Sequence, residues 1–409
     1  MTIRLDIPDH WPQVRAHLPA DFDLERTARA RGAFTRAREV KNAEGLLRLA
    51  LAYGGCGMSL RETCAWAEAA GLASLANPSL IERLAKAAPW LGDIVAALIA
   101  KQTKVPVKRW AGYRLRALDA TSICEPGADR TTWRLHVGYD LATGQVDHIE
   151  LTDGRGAESL QRLHYQPGEV VLADRYYARP RNLRPVIDDG ADFIVRTGWN
   201  SLRLLNPDGS ALDLFGALSA QTEQEGAIRV VVDEGTDQAA PLMLRLVVRR
   251  KTHEQWRAEQ SRLLKEAKKR GKKADPRSLE PAKYILLLTS LPADIFPTAD
   301  VLALYRFRWQ LELAFKRMKS IAGLDELAAK KPDLARTWIY AKLIAFLIAE
   351  QIAGQVPDSS PCEPGTTAAK SITLAPDEAR PCKRSRRNSW TTMVAGHLQP
   401  THPHSSASL

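Results

Sequence analysis

Apolar side chains recur at helical spacing through the first hundred residues. The run AEGLLRLALAYGG (43–55) places apolar residues three and four positions apart and ends on glycines. A second run begins after Ser59, with Glu62 three residues later, which is the pattern of a capping box. A third run, 77–102, opens on Asn-Pro. We interpret residues 1–105 as a helical N-terminal domain, either a DNA-binding bundle or a plain helical support.

From about residue 112 the spacing changes to that of strands. Three short runs, 113–120, 132–141 and 147–153, are separated by polar turns that contain glycine. The run EVVLADR (169–175) is apolar until it reaches an acid, which is typical of a buried central strand. A predicted helix and a further strand follow. Three meandering strands and then alternating strands and helices predict an α/β sheet with covered faces.

Residues 200–283 break this alternation. They predict a hairpin with an Asn-Pro-Asp-Gly turn at 206–209, and then a second pair of strands. The stretch 249–277 that follows contains 12 Lys or Arg and 4 Asp or Glu. We interpret the segment as a β-rich insertion that carries a basic arm.

Two helices are predicted near the end of the patterned part of the chain. After a further strand, the run 296–324 has the spacing of one long helix, and 337–354 is an apolar helix expected to pack against it. The pattern is then lost. Residues 356–409 are rich in Pro, Ser and Thr and include the basic cluster KRSRR (383–387), which predicts a disordered tail.

Composition narrows the class of protein. The chain has 409 residues, 45% of them hydrophobic, so wholesale disorder is not expected, and the absence of a long apolar run argues against a transmembrane helix. Five widely spaced cysteines without a Cys-x-x-Cys pair argue against zinc or disulfides and favour a reducing cytoplasm. The net charge of +11 favours an anionic partner, most commonly nucleic acid. Part of the surplus lies at 26–41, which favours DNA contact by the N-terminal helices.

Two acids end predicted strands. Asp119 ends the first strand and Asp174 ends the buried run at 169–175. If these strands are neighbours, the two carboxylates converge at the rim of the sheet, and their repulsion favours a divalent cation between them. Oxygen ligands select hard ions such as Mg²⁺ or Mn²⁺. Taken singly, each acid is more simply explained as a strand or turn cap.

The predicted long helix has a polar stripe beside its apolar face. The stripe contains residues offset by 0, 3, 7 and 14 positions, namely Tyr305, Arg308, Glu312 and Lys319. At about 100° per residue all four lie within roughly 60° of one another. Glu312 would therefore lie at the edge of the core between cations. An ordinary ion pair between Arg308 and Glu312 is the competing explanation.

The motif Tyr305-x2-Arg308-x3-Glu312-x6-Lys319 resembles the Tyr-Arg-Glu-Lys signature of bacterial insertion-sequence transposases of the IS-four type, which carry a DDE triad. LDATS, with Asp119, is similar to that family's first catalytic segment, and LADRYYA, with Asp174, is similar to its second. The order of the three acids matches the family, as does a β-rich insertion before the third. The resemblance covers roughly residues 20–355, and the tail departs from it.

The resemblance implies an RNase H-like catalytic domain over 106–355, built on a mixed five-stranded sheet. It implies two Mg²⁺ or Mn²⁺ ions held by Asp119, Asp174 and Glu312, with Asp119 bridging both. Two such ions support phosphodiester hydrolysis and strand transfer by in-line displacement.

The same resemblance implies roles in DNA binding. Tyr305, Arg308 and Lys319 would hold the DNA strand near the scissile phosphate. An aromatic residue of the insertion would receive a flipped base, with Trp199 and Trp256 as candidates, although a core role competes for both.

The implied partners are double-stranded DNA, as terminal inverted repeats and as target, and a second copy of the chain on paired ends. The implied location is the bacterial cytoplasm, at the nucleoid, with no membrane partner. Three other classes stay open: an RNase H-like nuclease that does not transpose, a decayed or domesticated DNA-binding protein of the same fold, and a structural or interaction protein.

Overall fold

The computed structural model of the chain describes residues 11–102, 110–232, 241–271, 273 and 276–355. The predicted disordered tail and its basic cluster lie outside the described residues. The α-helices of the described residues, in chain order, are α1 (Trp11–His17), α2 (Leu24–Ala30), α3 (Ala43–Ala50), α4 (Leu60–Ala69), α5 (Asn77–Gln102), α6 (Pro180–Asp188), α7 (Leu214–Ala220), α8 (His253–Lys269), α9 (Pro276–Leu279), α10 (Thr298–Arg306), α11 (Trp309–Ser320) and α12 (Pro332–Gln355).

The strands of the described residues form one mixed sheet. In chain order they are β1 (Arg114–Ile123), β2 (Trp133–Asp140), β3 (Gln145–Asp153), β4 (Glu169–Ala173), β5 (Asp192–Arg196), β6 (Leu204–Leu205), β7 (Glu225–Val232), β8 (Leu242–Arg250) and β9 (Tyr284–Thr289). Their order across the sheet is β3-β2-β1-β4-β5-β9-β8-β7-β6. The three-strand meander is antiparallel, β1, β4 and β5 are parallel, and the remaining pairs are antiparallel. The predicted α/β fold class, RNase H-like in its first five strands, is confirmed.

The centre of the sheet is apolar because it is covered. Every residue of β4 is buried, as expected for a parallel strand with both faces packed. One apolar cluster joins Leu118 of β1 and Phe193 of β5 to Leu183 of α6. This cluster fixes the strand ends at which the predicted acids lie.

The β-rich insertion continues the same sheet. β9 lies between β5 and β8, so the insertion strands extend the five-stranded sheet beyond β5. The predicted hairpin is present as a bridge between Leu205 and Ala211 around the turn at 206–209. Its second arm is short because Asp213 caps α7, accepting a hydrogen bond from the Gly216 N–H.

The chain divides into two compact units, and each is described by itself. Among the described residues, those of 99–316 form an α/β unit, and those of 11–98 and 317–355 form a helical unit. The domain boundaries expected from the sequence stay a prediction. No helix among the described residues combines the length and the apolarity needed to cross a bilayer.

In the helical unit, α12 packs closely on a single π-helical turn at Leu51–Gly55 that follows α3. A Cβ atom added to Gly54 would lie 2.7 Å from Ala341 Cβ and 2.8 Å from the Trp338 carbonyl oxygen. The π-helical turn can approach α12 this closely because Gly54 has no Cβ atom. The packing of the last helix against the long helix stays a prediction.

The prediction of one long helix over 296–324 is wrong. The helix is interrupted between α10 and α11, at Phe307 and Arg308. Here the Phe307 N–H donates to the Leu304 carbonyl and the Arg308 N–H to the Tyr305 carbonyl, three residues back instead of four. Such bonds tighten the backbone, so the angular spacing of a continuous helix does not apply across the break.

Candidate active site

Asp119 and Asp174 lie side by side in the register of two parallel strands. The last registered pair of β1 and β4 is Ala117 with Leu172, and each acid lies two residues further along the chain, Asp119 within β1 and Asp174 just after β4. Asp174 directly follows β4, as predicted. The prediction that Asp119 ends its strand is wrong, because β1 continues to Ile123 against β2 and only its pairing with β4 ends at this point.

The surroundings of Asp119 disfavour an isolated negative charge. Burial is the main reason that the pKa of Asp119 is raised to about 7, and the charges of Asp174 and Glu158 raise it further. The Ala120 N–H and the charge of Arg308 act in the opposite direction. The Ala120 N–H donates to Asp119 Oδ1 at 2.8 Å. A cation at this rim therefore stabilises the ionised carboxylate.

Asp174 is held by the turn that it begins. Its Oδ1 accepts a hydrogen bond from the Tyr176 N–H at 2.7 Å, and the side chain caps the 3₁₀ turn Arg175–Tyr177. The cap explanation considered from sequence is thus correct as far as it goes. The cap uses Oδ1, so the second oxygen of the carboxylate can bind another group.

Arg308 joins Asp119 to Glu312. Its Nη1 lies 3.1 Å from Asp119 Oδ2, and its Nη2 donates to Glu312 Oε1. Arg308 and Asp119 side chains are both 17% exposed, whereas that of Glu312 is 48% exposed. The ion pair of Arg308 with Glu312, considered above as the competing explanation, is formed. The same guanidinium also contacts Asp119.

Tyr305 stands beside this guanidinium. The Arg308 Cζ lies 5.9 Å from the centroid of the Tyr305 ring. Burial raises the pKa of Tyr305 to about 12, while the charges of Arg308 and Arg196 act in the opposite direction. The hydroxyl is therefore a neutral donor at neutral pH, which suits contact with a phosphate.

Lys319 lies in the last turn of α11. It belongs to the helical unit, whereas Glu312 belongs to the α/β unit. The structure thus brings together five of the six predicted site residues in the α/β unit, and the proximity of Lys319 to them stays a prediction.

The side chains fit a hard divalent cation by donor type, and their arrangement is only partly suited to one. Among the described residues, no group of three or more His, Cys, Asp or Glu side chains is arranged to hold a metal ion. Asp119 and Asp174 offer carboxylate oxygens in register, which is the chemistry that Mg²⁺ and Mn²⁺ prefer. Glu312 is turned to Arg308, so a site with all three carboxylates requires Arg308 to release it.

A fourth carboxylate at this rim was missed in the sequence. Glu158 lies in the loop after β3, and burial raises its pKa, with Arg134 lowering and Asp174 raising it. Its Oε1 is 3.8 Å from Arg134 Nε. Because Glu158 lies in an irregular loop, no periodic pattern distinguishes it from other acids.

Large apolar side chains that flank the site are exposed. Phe307 and Trp309, on either side of Arg308, are 40% and 58% exposed, and Tyr176 is 64% exposed. The two tryptophans considered as receivers of a flipped base are less exposed. Trp199 is half-buried against Phe215, and Trp256 is half-buried near His253. A base-receiving role for either tryptophan stays a prediction.

Comparison with known proteins decides the family. The family model described as a transposase DDE domain matches residues 110–348. A protein of Escherichia coli K12, the putative transposase InsL of insertion sequence element IS186A, is 40% identical over 362 residues, which covers 88% of this chain and 98% of the relative. This chain belongs to the DDE transposase family.

Other relatives of this transposase span a range of similarity. The transposase of insertion sequence element IS421 from Escherichia coli is 40% identical over 363 residues, covering 88% of this chain and 98% of the relative. The transposase of IS231F from Bacillus thuringiensis subsp. israelensis is 24% identical and covers 58% and 55% of the two chains. A solved piggyBac transposase synaptic complex with hairpin DNA matches 86% of this chain and 77% of its own, at 9% identity and a TM-score of 0.39.

The resemblance drawn from the motif is confirmed by the family model and by the 40% identical relatives. The chain is a DNA transposase and hence a polynucleotidyl transferase. The alternative hypothesis of a structural or interaction protein is wrong.

Proposed function

We propose that this transposase cleaves DNA at the ends of an insertion sequence and joins those ends to target DNA, with Asp119, Asp174 and Glu312 as its catalytic carboxylates. The observation that carries the proposal is the contact of Arg308 with both Asp119 and Glu312, since Arg308 and Asp119 are separated by 189 residues. The first turn of α11 and the interior of β1 thereby present Glu312 and Asp119 to the same cation.

Two Mg²⁺ or Mn²⁺ ions at these carboxylates would activate the attacking oxygen and stabilise the leaving oxygen. Asp119, within β1, and Asp174, directly after β4, would hold these ions. Glu312, half-exposed on α11, completes the set when Arg308 releases it. The decisive change in the site is therefore the movement of one guanidinium.

Arg308 has a second acceptor available when DNA is bound. A guanidinium binds phosphate oxygens with the same paired geometry that it uses for carboxylates. The transfer of Arg308 from Glu312 to a phosphate beside the scissile bond would free the carboxylate. Tyr305 would donate its hydroxyl to the same strand, and Lys319 would add a point charge.

The exposed helix α8 extends the DNA-binding surface. None of its residues is buried. Arg257, Lys265 and Lys268 are exposed and fall within about 80° of one another on the helix. Two of the three acids of α8, Glu259 and Glu266, project from the opposite side and pair with Arg262, whereas Glu254, in the first turn, lies on the basic side. The basic side is suited to the phosphates of a duplex.

The N-terminal basic stretch supports DNA contact less directly. Arg31 is paired with Asp93 through contacts of 2.6 and 2.7 Å, and Arg29 is paired with Glu25. Part of the local charge is thus neutralised within the helical unit. The further partners we infer are terminal inverted repeats, target DNA and a second copy of the chain, in the bacterial cytoplasm at the nucleoid.

Cleavage of a DNA fragment that carries the element's terminal repeats tests the proposal. The variants Asp119→Asn, Asp174→Asn and Glu312→Gln should each abolish Mg²⁺-dependent cleavage and strand transfer while retaining DNA binding. Cleavage by any one of them at the wild-type rate would defeat the triad. Hydrolysis without joined products by the wild-type chain would instead favour a nuclease that does not transpose.

A further inference from the structure

The hydroxyl of Tyr177 is buried and makes no hydrogen bond with the described residues. Tyr177 is 0% exposed, and its Oη has no partner. Burying a hydroxyl without a partner is unfavourable, so such a group in a folded protein requires a specific explanation, such as a bound ion, a water molecule or a catalytic role. The catalytic roles described above make no use of it.

Tyr177 lies in the turn that directly follows β4. Tyr177 closes the 3₁₀ turn that Asp174 caps, and its carbonyl accepts a hydrogen bond from Asn182 Nδ2 at 3.2 Å. The side chain belongs to the same apolar cluster as Leu118 and Ala173. These two residues immediately precede Asp119 and Asp174, so the cluster that holds the ring extends to the residue before each of the two acids.

The Tyr177 hydroxyl lies within electrostatic reach of the carboxylates at the rim of the sheet. Burial raises the pKa of Tyr177 above its usual range, and the charges of Asp119, Glu158 and Asp174 raise it further. The hydroxyl therefore keeps its proton at neutral pH. This neutral hydroxyl can donate a hydrogen bond to a nearby carboxylate when that carboxylate turns toward it.

We propose that Tyr177 is a positioning residue of the active site, whose hydroxyl donates a hydrogen bond to a carboxylate oxygen of Asp119 or Asp174 when these acids hold divalent cations. This inference rests on the proposed metal site. When Asp119 and Asp174 hold cations, the orientation of their carboxylate oxygens matters, and the buried hydroxyl of Tyr177 supplies a donor for one of these oxygens. Donors behind metal-ligating side chains orient the ligands and strengthen metal binding.

The full-length variant Tyr177→Phe removes only the hydroxyl, and Tyr165→Phe is its matched control. Tyr165 is also buried in this cluster, but its hydroxyl donates to the Leu160 carbonyl at 2.7 Å. Without divalent ions, Tyr177→Phe should melt at or slightly above the wild-type temperature, whereas Tyr165→Phe should melt several degrees lower because it loses a formed hydrogen bond.

Titration with Mn²⁺, followed by the rise in melting temperature, gives the distinguishing result. Tyr177→Phe should bind Mn²⁺ about tenfold more weakly than wild type, and Tyr165→Phe should match wild type. Cleavage by Tyr177→Phe should fall at low Mn²⁺, recover at high Mn²⁺, and show unchanged affinity for DNA.

Two outcomes would overturn the inference alone: wild-type Mn²⁺ affinity in Tyr177→Phe, or a loss of several degrees in that variant before Mn²⁺ is added. Asp119→Asn serves as the reference for the site itself. If Asp119→Asn responds to Mn²⁺ as wild type does, the metal site fails and the inference fails with it. If Asp119→Asn loses the response and Tyr177→Phe keeps it, the metal site stands and only the role of Tyr177 is rejected.

Discussion

Arg308 Nη1 lies 3.1 Å from Asp119 Oδ2, and this ion pair links the break between α10 and α11 to the centre of the sheet. Both side chains are 17% exposed, so the pair is largely shielded from solvent. The guanidinium also contacts Glu312. The Arg308 guanidinium thus compensates the charges of Asp119 and Glu312, as divalent ions would do in the proposed reaction.

Replacing Arg308 with Met should therefore destabilise the metal-free protein. Loss of one partner leaves Asp119 as an uncompensated, largely buried carboxylate, and we expect the free energy of unfolding to fall by about 1–3 kcal/mol. Mn²⁺ should restore part of this loss because it supplies the missing positive charge. Urea unfolding with and without Mn²⁺ measures both effects.

Arg262→Met is the control for that experiment. Arg262 pairs with Glu259 and Glu266 on α8 but is 47% exposed, so its loss should cost less than about 1 kcal/mol and should not respond to Mn²⁺. Equal destabilisation of Arg308→Met in the presence and absence of Mn²⁺ would show that Arg308 does not stand in for a metal ion.

The sequence predicts the sheet and the order of the three acids well, because both follow from short-range patterns. The strands predicted at 113–120 and 132–141 correspond to β1 and β2, and the apolar run at 169–175 contains the fully buried β4. The predicted hairpin is also present, although its second arm ends early at the Asp213 cap.

What the sequence does not reveal depends on contacts between distant residues. The break at Phe307 falls in a stretch whose spacing suits an unbroken helix, and it is defined by hydrogen bonds to carbonyls three residues back. Glu158 lies in a loop with no periodicity. The packing of α12 on the turn that contains Gly54 joins segments almost three hundred residues apart, which no local pattern encodes.

Gly54→Ala should destabilise the helical unit. The added Cβ would lie 2.7 Å from Ala341 Cβ and 3.0 Å from Trp338 Cα, distances at which α12 or the turn must shift. We expect a loss of about 1–3 kcal/mol in the free energy of unfolding. Gly55→Ala is the neighbouring control, because its Cβ would lie 3.5 Å from Ala345 Cβ, an ordinary contact. Similar losses in both variants would contradict the close approach at Gly54.

The buried His136 predicts a dependence of stability on pH. Burial lowers its pKa to about 3, with Arg162, Arg134 and His148 adding to the effect. Below its ordinary pKa of about 6.5, the unfolded chain binds a proton that the folded chain does not, so this residue destabilises the fold as pH falls from about 6 toward 3. Its contribution approaches about 1.4 kcal/mol per pH unit.

His136→Gln should therefore lose less stability than wild type on acidification. Urea unfolding at pH 7, 6 and 5 should give a shallower decline for the variant, by roughly 1 kcal/mol between pH 6 and 5. His253→Gln, at an exposed position on α8, should leave the decline unchanged. Parallel declines for His136→Gln and wild type would mean that His136 titrates in the folded state as it does in the unfolded chain.

The basic side of α8 predicts a change in the salt dependence of DNA binding. Replacement of both Lys265 and Lys268 with Ala should weaken duplex binding at every sequence, because phosphate contacts carry no sequence information. Each lost phosphate contact should reduce the magnitude of the slope of log affinity against log salt by about 0.9. The slope of the double variant should therefore be smaller in magnitude than that of wild type by between about 1 and 2. Fluorescence anisotropy with labelled duplex at several salt concentrations measures the slope.

Arg262→Ala tests whether position on α8, and not charge alone, decides the effect. Arg262 donates to Glu259 and Glu266, with both contacts at 2.6 Å, so its charge is already compensated on the protein. We expect a slope close to that of wild type. A reduction as large as one unit in Arg262→Ala, or none in the double lysine variant, would place the DNA elsewhere than on the exposed basic side of α8.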